Sequence, residues 1–156
     1  AVPQVGPGKG EESPLDLGRW REVQDEANMY AFRTPSLHNV AVSGPYMHDG
    51  AFATLEAAVL HHLDPEKSLR GYDPTAHLHP DLHDTFQNDP NLLDDMLHYV
   101  DPLLAPEREL SNGEVEALLA FLNALTDPAV NHLDRYVPDS VPSGLPVQDL
   151  PAQNSN

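Results

Sequence analysis

Proline sets the outer limits of this fold. Near the start of the chain Pro3, Pro7 and Pro14 alternate with Gly6, Gly8, Gly10 and Gly18. So little apolar material lies between them that residues 1–18 are expected to run as an extended arm, ordered only where it docks. At the other end Pro138, Pro142, Pro146 and Pro151 recur every four or five residues. Each proline removes a backbone donor and clashes with the preceding turn, so residues 137–156 read as a tail lying over a surface rather than a helix. That leaves residues 19–136 to form the folded domain.

Three helices are legible within that span. In the plainest, at 111–126, Ser111 and Glu114 make a capping box, and Val115, Leu118, Leu119, Leu122 and Leu125 share one face until Asp127-Pro128 ends it. Thr54 caps a second, in which Leu55, Ala58, Val59 and His62 fall at i, i+3, i+4 and i+7 and are expected to face the core. A third begins with Asp89 as cap and Pro90 in the first position, and buries Leu92, Leu93, Met96 and Leu97. The first two carry the clearest apolar stripes and are expected to pack against each other. No alternating strand pattern accompanies them, so the class is all-α with long irregular loops.

A chain of 156 residues is the size of one domain. Its 8 Lys and Arg against 25 Asp and Glu give a net charge of -17, a field that repels nucleic acid and anionic membranes and favours basic partners. There is no apolar run long enough to span a bilayer. There is also no cysteine, which excludes disulfides, zinc-thiolate sites, thiol catalysis and covalent attachment of c-type haem by this chain.

Candidate chemistry centres on histidine. His62 lies on the stripe expected to be buried, where an imidazole must either satisfy its nitrogens by hydrogen bonds or bind a metal. His61 is rotated by about 100° and is expected on another surface. Pro35 and Pro45 restrict the chain before them to extended conformations and Asp49-Gly50 forms a turn, which places Tyr46, Met47 and His48 near the start of the helix carrying His62. In HLHPDLH, His77, His79 and His83 stand among Asp81 and Asp84, but Pro80 interrupts any regular ligand geometry. That segment reads as a mobile surface loop without a bound transition metal.

The run FRTPSLHNVAVSGPYMHDGAFATLEAAVLHH, the later LSNGEVEALLAFLNALTDP and the closing VPSGLPV, with VPQVGPGKG and DLGR before them, resemble the C-terminal half of the bacterial di-haem cytochrome c peroxidase and MauG family. The resemblance implies a cytochrome c-like helical domain fragment with Pro-rich arms, from a periplasmic oxidoreductase. In that family two c-type haems, each attached through CxxCH, cooperate in peroxide-dependent oxidation. Neither motif is present, so the resemblance implies that this chain is a C-terminal piece whose haem attachment lies just upstream of Ala1 or on a partner chain.

Carried over by position, the family's distal axial ligand for the second haem falls eight residues after Thr54, on His62, with His61 as the neighbouring alternative. Met or Tyr is usual there. Histidine implies a bis-His haem suited to electron transfer or stabilised high-valent iron rather than peroxide binding. Tyr46, Met47 and His48 match the turn beside that haem. The family's interdomain calcium implies backbone carbonyls of Ser43 and Pro45 as part of its ligand set, the rest coming from the absent region. A redox partner or protein substrate would complete the system. The competing expectation is a haem-less acidic module that docks a partner protein.

Overall fold

A computed structural model describes residues 1–6, 15–104, 108–138 and 141–143. The described residues form helices joined by long loops, with isolated bridges at Gly18–Ala31 and Tyr46–Phe52 in place of strands. The all-α expectation holds, and the arrangement is consistent with a cytochrome c-like helical fragment. Two compact units divide the chain, Ala1–Thr126 and Asp127–Asn156. Much of the expected arm and tail, at 7–14, 139–140 and 144–156, lies outside the described residues, as does part of the VPSGLPV motif.

One dipeptide starts three of the six α-helices among the described residues. After the short α1 (Trp20–Val23), Thr54 caps α2 (Leu55–Leu63) by accepting from the Ala57 amide. Asp64-Pro65 then opens α3 (Pro65–Arg70), Asp73-Pro74 opens α4 (Pro74–His77) and Asp89-Pro90 opens α5 (Pro90–His98). In each the aspartate accepts from an amide of the first turn, while proline occupies a position whose donor would be unpaired anyway. The same signal expected at Asp89 therefore works twice more, in helices too short to show an apolar period. α6 (Asn112–Ala124) carries the complete capping box of Ser111 and Glu114.

The core lies in two clusters. Ala51, Phe52, Ala58 and Tyr72 form one, with Tyr46, Met47 and Phe86 packed around it. Leu69, Leu93 and Met96 form the other, where α3 meets α5. Arg70 reinforces that contact, its Nε 3.1 Å from Glu66 and its Nη2 2.7 Å from Asp94, although exposure makes such pairs worth little. The expected pairing of α2 with α6 is not how either helix is chiefly held. α2 packs on α3, and α6 packs on the single turn at Val40–Val42, where the Asn39 amide reaches the Leu125 carbonyl at 3.2 Å.

The described start of the arm is docked firmly. Pro3 is fully buried, and buried Gln4 is paired at both ends of its amide, accepting from the Asp16 amide at 2.7 Å and donating to the Asp16 carbonyl at 3.2 Å. Its backbone carbonyl takes the Gln87 amide at 3.0 Å, and Gly6 donates to the Thr85 hydroxyl at 2.8 Å. In the second unit Asp127 caps the turn Pro128–Tyr136, which kinks at His132.

HLHPDLH is more regular than the expected loop. It spans the end of α4 and a 3-10 turn at Pro80–Thr85. The His77 ring stacks on Tyr72 with centroids 5.5 Å apart and meets Phe52 edge-on at 5.2 Å, so a non-local aromatic cluster fixes what the local sequence left irregular.

Candidate functional site

The last turn of α2 carries two consecutive histidines in opposite environments. His61 is 3 % exposed, and its ring lies 4.9 Å from that of Phe52. Its Nε2 is 2.7 Å from the Ala1 carbonyl oxygen and its Nδ1 is 3.0 Å from the Ser68 hydroxyl. A carbonyl only accepts, so Nε2 carries the proton and Nδ1 accepts from Ser68. Burial pushes the pKa of this imidazole down to about 4, against the opposing pull of the Ala1 carbonyl.

His62 is exposed. Its Nδ1 lies 2.7 Å from the Ala58 carbonyl oxygen, so by the same rule Nδ1 carries the proton. Among the described residues nothing hydrogen-bonds its Nε2, the nitrogen that can offer a lone pair in this tautomer.

This reverses the burial expected for the pair. His62 does lie on the bearing of Ala58 and Val59, which are buried, but in the final turn that bearing reaches the surface. His61, a third of a turn away, is covered instead by Ala1 of the arm and Ser68 of α3. Both covering segments are distant in their contacts from anything helical periodicity reports.

The turn before α2 is built with little slack. Tyr46 and Phe52 exchange amide hydrogen bonds at 2.7 and 3.3 Å, and the Tyr46 hydroxyl donates to the Ala41 carbonyl at 3.2 Å. Met47 adopts a left-handed φ of +70°, unusual for a side-chain-bearing residue. Tyr46 and Met47 are half-buried against the Phe52 cluster. His48 turns the other way, stacked on Phe32 at 3.5 Å between centroids, with Nε2 3.5 Å from Asp16. Burial raises the pKa of Asp49 to about 6, opposed by the Ala51 amide that donates to it at 3.1 Å. Ser43 and Pro45 are exposed on either side of Gly44.

The structure thus brings Tyr46 and Met47 to the cluster that seats Ala58 of α2, and sets His48 apart on Phe32. A separate cleft of about 830 Å³ opens on the other flank of α2, between Leu60, Lys67, Tyr72, His77 and Arg108. None of His62, Tyr46, Met47 or His48 lines it. Among the described residues no group of three or more His, Asp or Glu side chains is placed to hold a metal ion, and no helix is long and apolar enough to cross a membrane.

No family model matches the sequence. Individual proteins do. The chain is 35 % identical over 105 residues, or 67 % of its length, to the methylamine utilization protein MauG of Paracoccus denitrificans, of which the match covers 25 %. It is 28 % identical over 127 residues, 81 % of its length, to the cytochrome-c peroxidase IdrP2 of Denitromonas iodatirespirans, of which it covers 26 %. A shorter stretch of 50 residues, 31 % of the chain and 14 % of the relative, is 46 % identical to MauG of Methylorubrum extorquens. The chain spans about a quarter of the length of the relatives it matches most extensively. It is homologous, over much of its own length, to MauG and the di-haem cytochrome c peroxidases.

Proposed function

We propose that this chain is the C-terminal portion of a periplasmic haem oxidoreductase, and that His62 supplies the distal axial ligand of a haem c attached outside it. The observation that carries the reading is the state of His62: an exposed imidazole whose Nδ1–H is held by the Ala58 carbonyl, with no hydrogen-bond partner for Nε2 among the described residues. Metal-binding histidines recurrently have this arrangement, since a carbonyl on one ring nitrogen fixes the tautomer, orients the ring and raises the basicity of the other.

Bound there, haem would supply one-electron redox chemistry at its iron. The chain's own part is to hold a nitrogen donor at a fixed bearing and to offer an apolar surface. Phe32, Leu37 and Val42 of the segment before the turn, and Phe121 of α6, are large apolar side chains left exposed. Such surface is normally covered by a partner, here the haem-bearing part of the protein. Tyr46 and Met47 back the start of α2 from the core side. The exposed turn at Ser43 and Pro45 would lend backbone carbonyls to a calcium ion, a role independent of side-chain identity. An electron donor and an oxidised protein or small molecule complete the reaction.

The test uses the protein with its haem-bearing segment. A haem-stained gel and a visible spectrum should show covalent haem with low-spin ferric iron, and His62→Gly should convert that haem to high spin. Material with no haem at all would favour a docking module instead, and an unchanged low-spin spectrum in the variant would remove His62 from the iron.

A further inference from the structure

We propose that His61 is a positioning residue for His62: by holding the Ala1 carbonyl and the Ser68 hydroxyl at once, it fixes the last turn of α2 and with it the bearing of the neighbouring imidazole. The inference rests on the reading of His62 as a ligand.

The argument starts from what His61 costs. An imidazole 3 % exposed has given up solvation at both ring nitrogens, so a plain apolar ring stacked near Phe52 would fill the same space more cheaply. Both nitrogens are instead satisfied, and by two separate segments of chain: Nε2–H by a carbonyl of the arm at 2.7 Å and Nδ1 by a hydroxyl of α3 at 3.0 Å. The arm is itself tied down through Gln4 to Asp16 and Gln87, and through Gly6 to Thr85.

The place of this link matters as much as its strength. α2 ends at Leu63, and a terminal turn is where a helix frays. Among the described residues the His62 ring makes one hydrogen bond, to Ala58 of the same helix, which sets the ring relative to α2 but does not itself tie the turn to another segment. His61 supplies a side-chain reference to two further segments, beside the Arg108 amide that donates to the Leu63 carbonyl at 3.0 Å. Its ring also lies 5.9 Å from that of His62 at 85°, edge against face, which restricts how the second ring swings.

The experiment follows cyanide binding to the ferric haem-loaded protein, together with its low-spin electron paramagnetic resonance signal, in wild type, His61→Phe, Ser68→Ala and His62→Gly. His61→Phe keeps a ring against Phe52 and removes both hydrogen bonds; Ser68→Ala removes one, in case the first variant fails to fold. A loosened His62 should be displaced more readily, so cyanide affinity should rise about tenfold or more in His61→Phe, the scale on which partners behind metal-binding histidines act. Ser68→Ala should shift it in the same direction by less, with a broadened low-spin signal in each. Wild-type cyanide affinity and resonance in Ser68→Ala, and in His61→Phe where it folds, would overturn the positioning role alone, provided His62→Gly turns high spin. A low-spin signal that survives in His62→Gly would overturn the ligand reading and the positioning role with it.

Discussion

His61 and His62 are consecutive on α2 with near-perpendicular rings 5.9 Å apart, and they hold opposite tautomers. His61 carries its proton on Nε2, facing Ala1, and His62 carries its own on Nδ1, facing Ala58. One ring is thereby committed to structure, and the other has a nitrogen with no hydrogen-bond partner among the described residues. This division follows from which carbonyl each ring meets, since the two residues are chemically identical.

Asp49 should govern part of the stability of the protein near neutral pH. Its pKa is raised by burial to about 6, so the folded state takes up a proton more readily than the unfolded chain. Its ionised form costs stability above that pH, and the cost disappears as pH falls toward the unfolded value. Asp49→Asn, which keeps an acceptor for the Ala51 amide, should add about 1–3 kcal/mol at pH 7.5 and almost nothing at pH 4. His61 acts in the opposite sense. Held neutral down to about 4, it takes stability away as pH drops below 6.5. Urea denaturation of both proteins across this range should therefore show a steeper acid loss in Asp49→Asn than in wild type.

Gly18 is predicted to reject every side chain. It sits at φ +61° beside the bridge to Ala31, and a Cβ there would lie 2.5 Å from the Ala31 carbonyl oxygen. That oxygen already accepts the Arg19 amide at 2.9 Å and has nowhere to retreat without breaking the bridge. Gly18→Ala should cost more than about 2 kcal/mol in denaturant unfolding, the combined effect of strain and backbone clash.

On α6 the two faces should separate cleanly. Leu122 is buried, so Leu122→Ala should cost about 2–4 kcal/mol, whereas exposed Phe121→Ala should change the stability of this chain by less than about 0.5 kcal/mol. Ser111→Ala removes the cap acceptor of the Glu114 amide and should cost about 1 kcal/mol. Equal losses at Leu122 and Phe121 in urea titrations would mean that the stripe is misplaced.

Where local chemistry decides, the sequence was readable. The caps at Thr54, Asp89 and Ser111 are made as expected, and Leu93, Met96, Val115 and Leu122 are buried. Asp64-Pro65 and Asp73-Pro74 offered the same cue for α3 and α4. Where a distant segment decides, it was not. The helical wheel gives the bearings of His61 and His62 but not what covers each, and the cover comes from Ala1 and Ser68. His77 likewise owes its fixed place to Phe52 and Tyr72, which no pattern within HLHPDLH announces.

The most direct test of His62 as the iron's ligand is chemical rescue in the haem-bearing protein. His62→Gly removes the ring and leaves space for a free imidazole to take the same position. The variant should be high spin in buffer and return to the wild-type low-spin spectrum as imidazole is added, while wild type itself is unaffected by the same titration. A His62→Gly protein that stays low spin without imidazole would contradict the assignment.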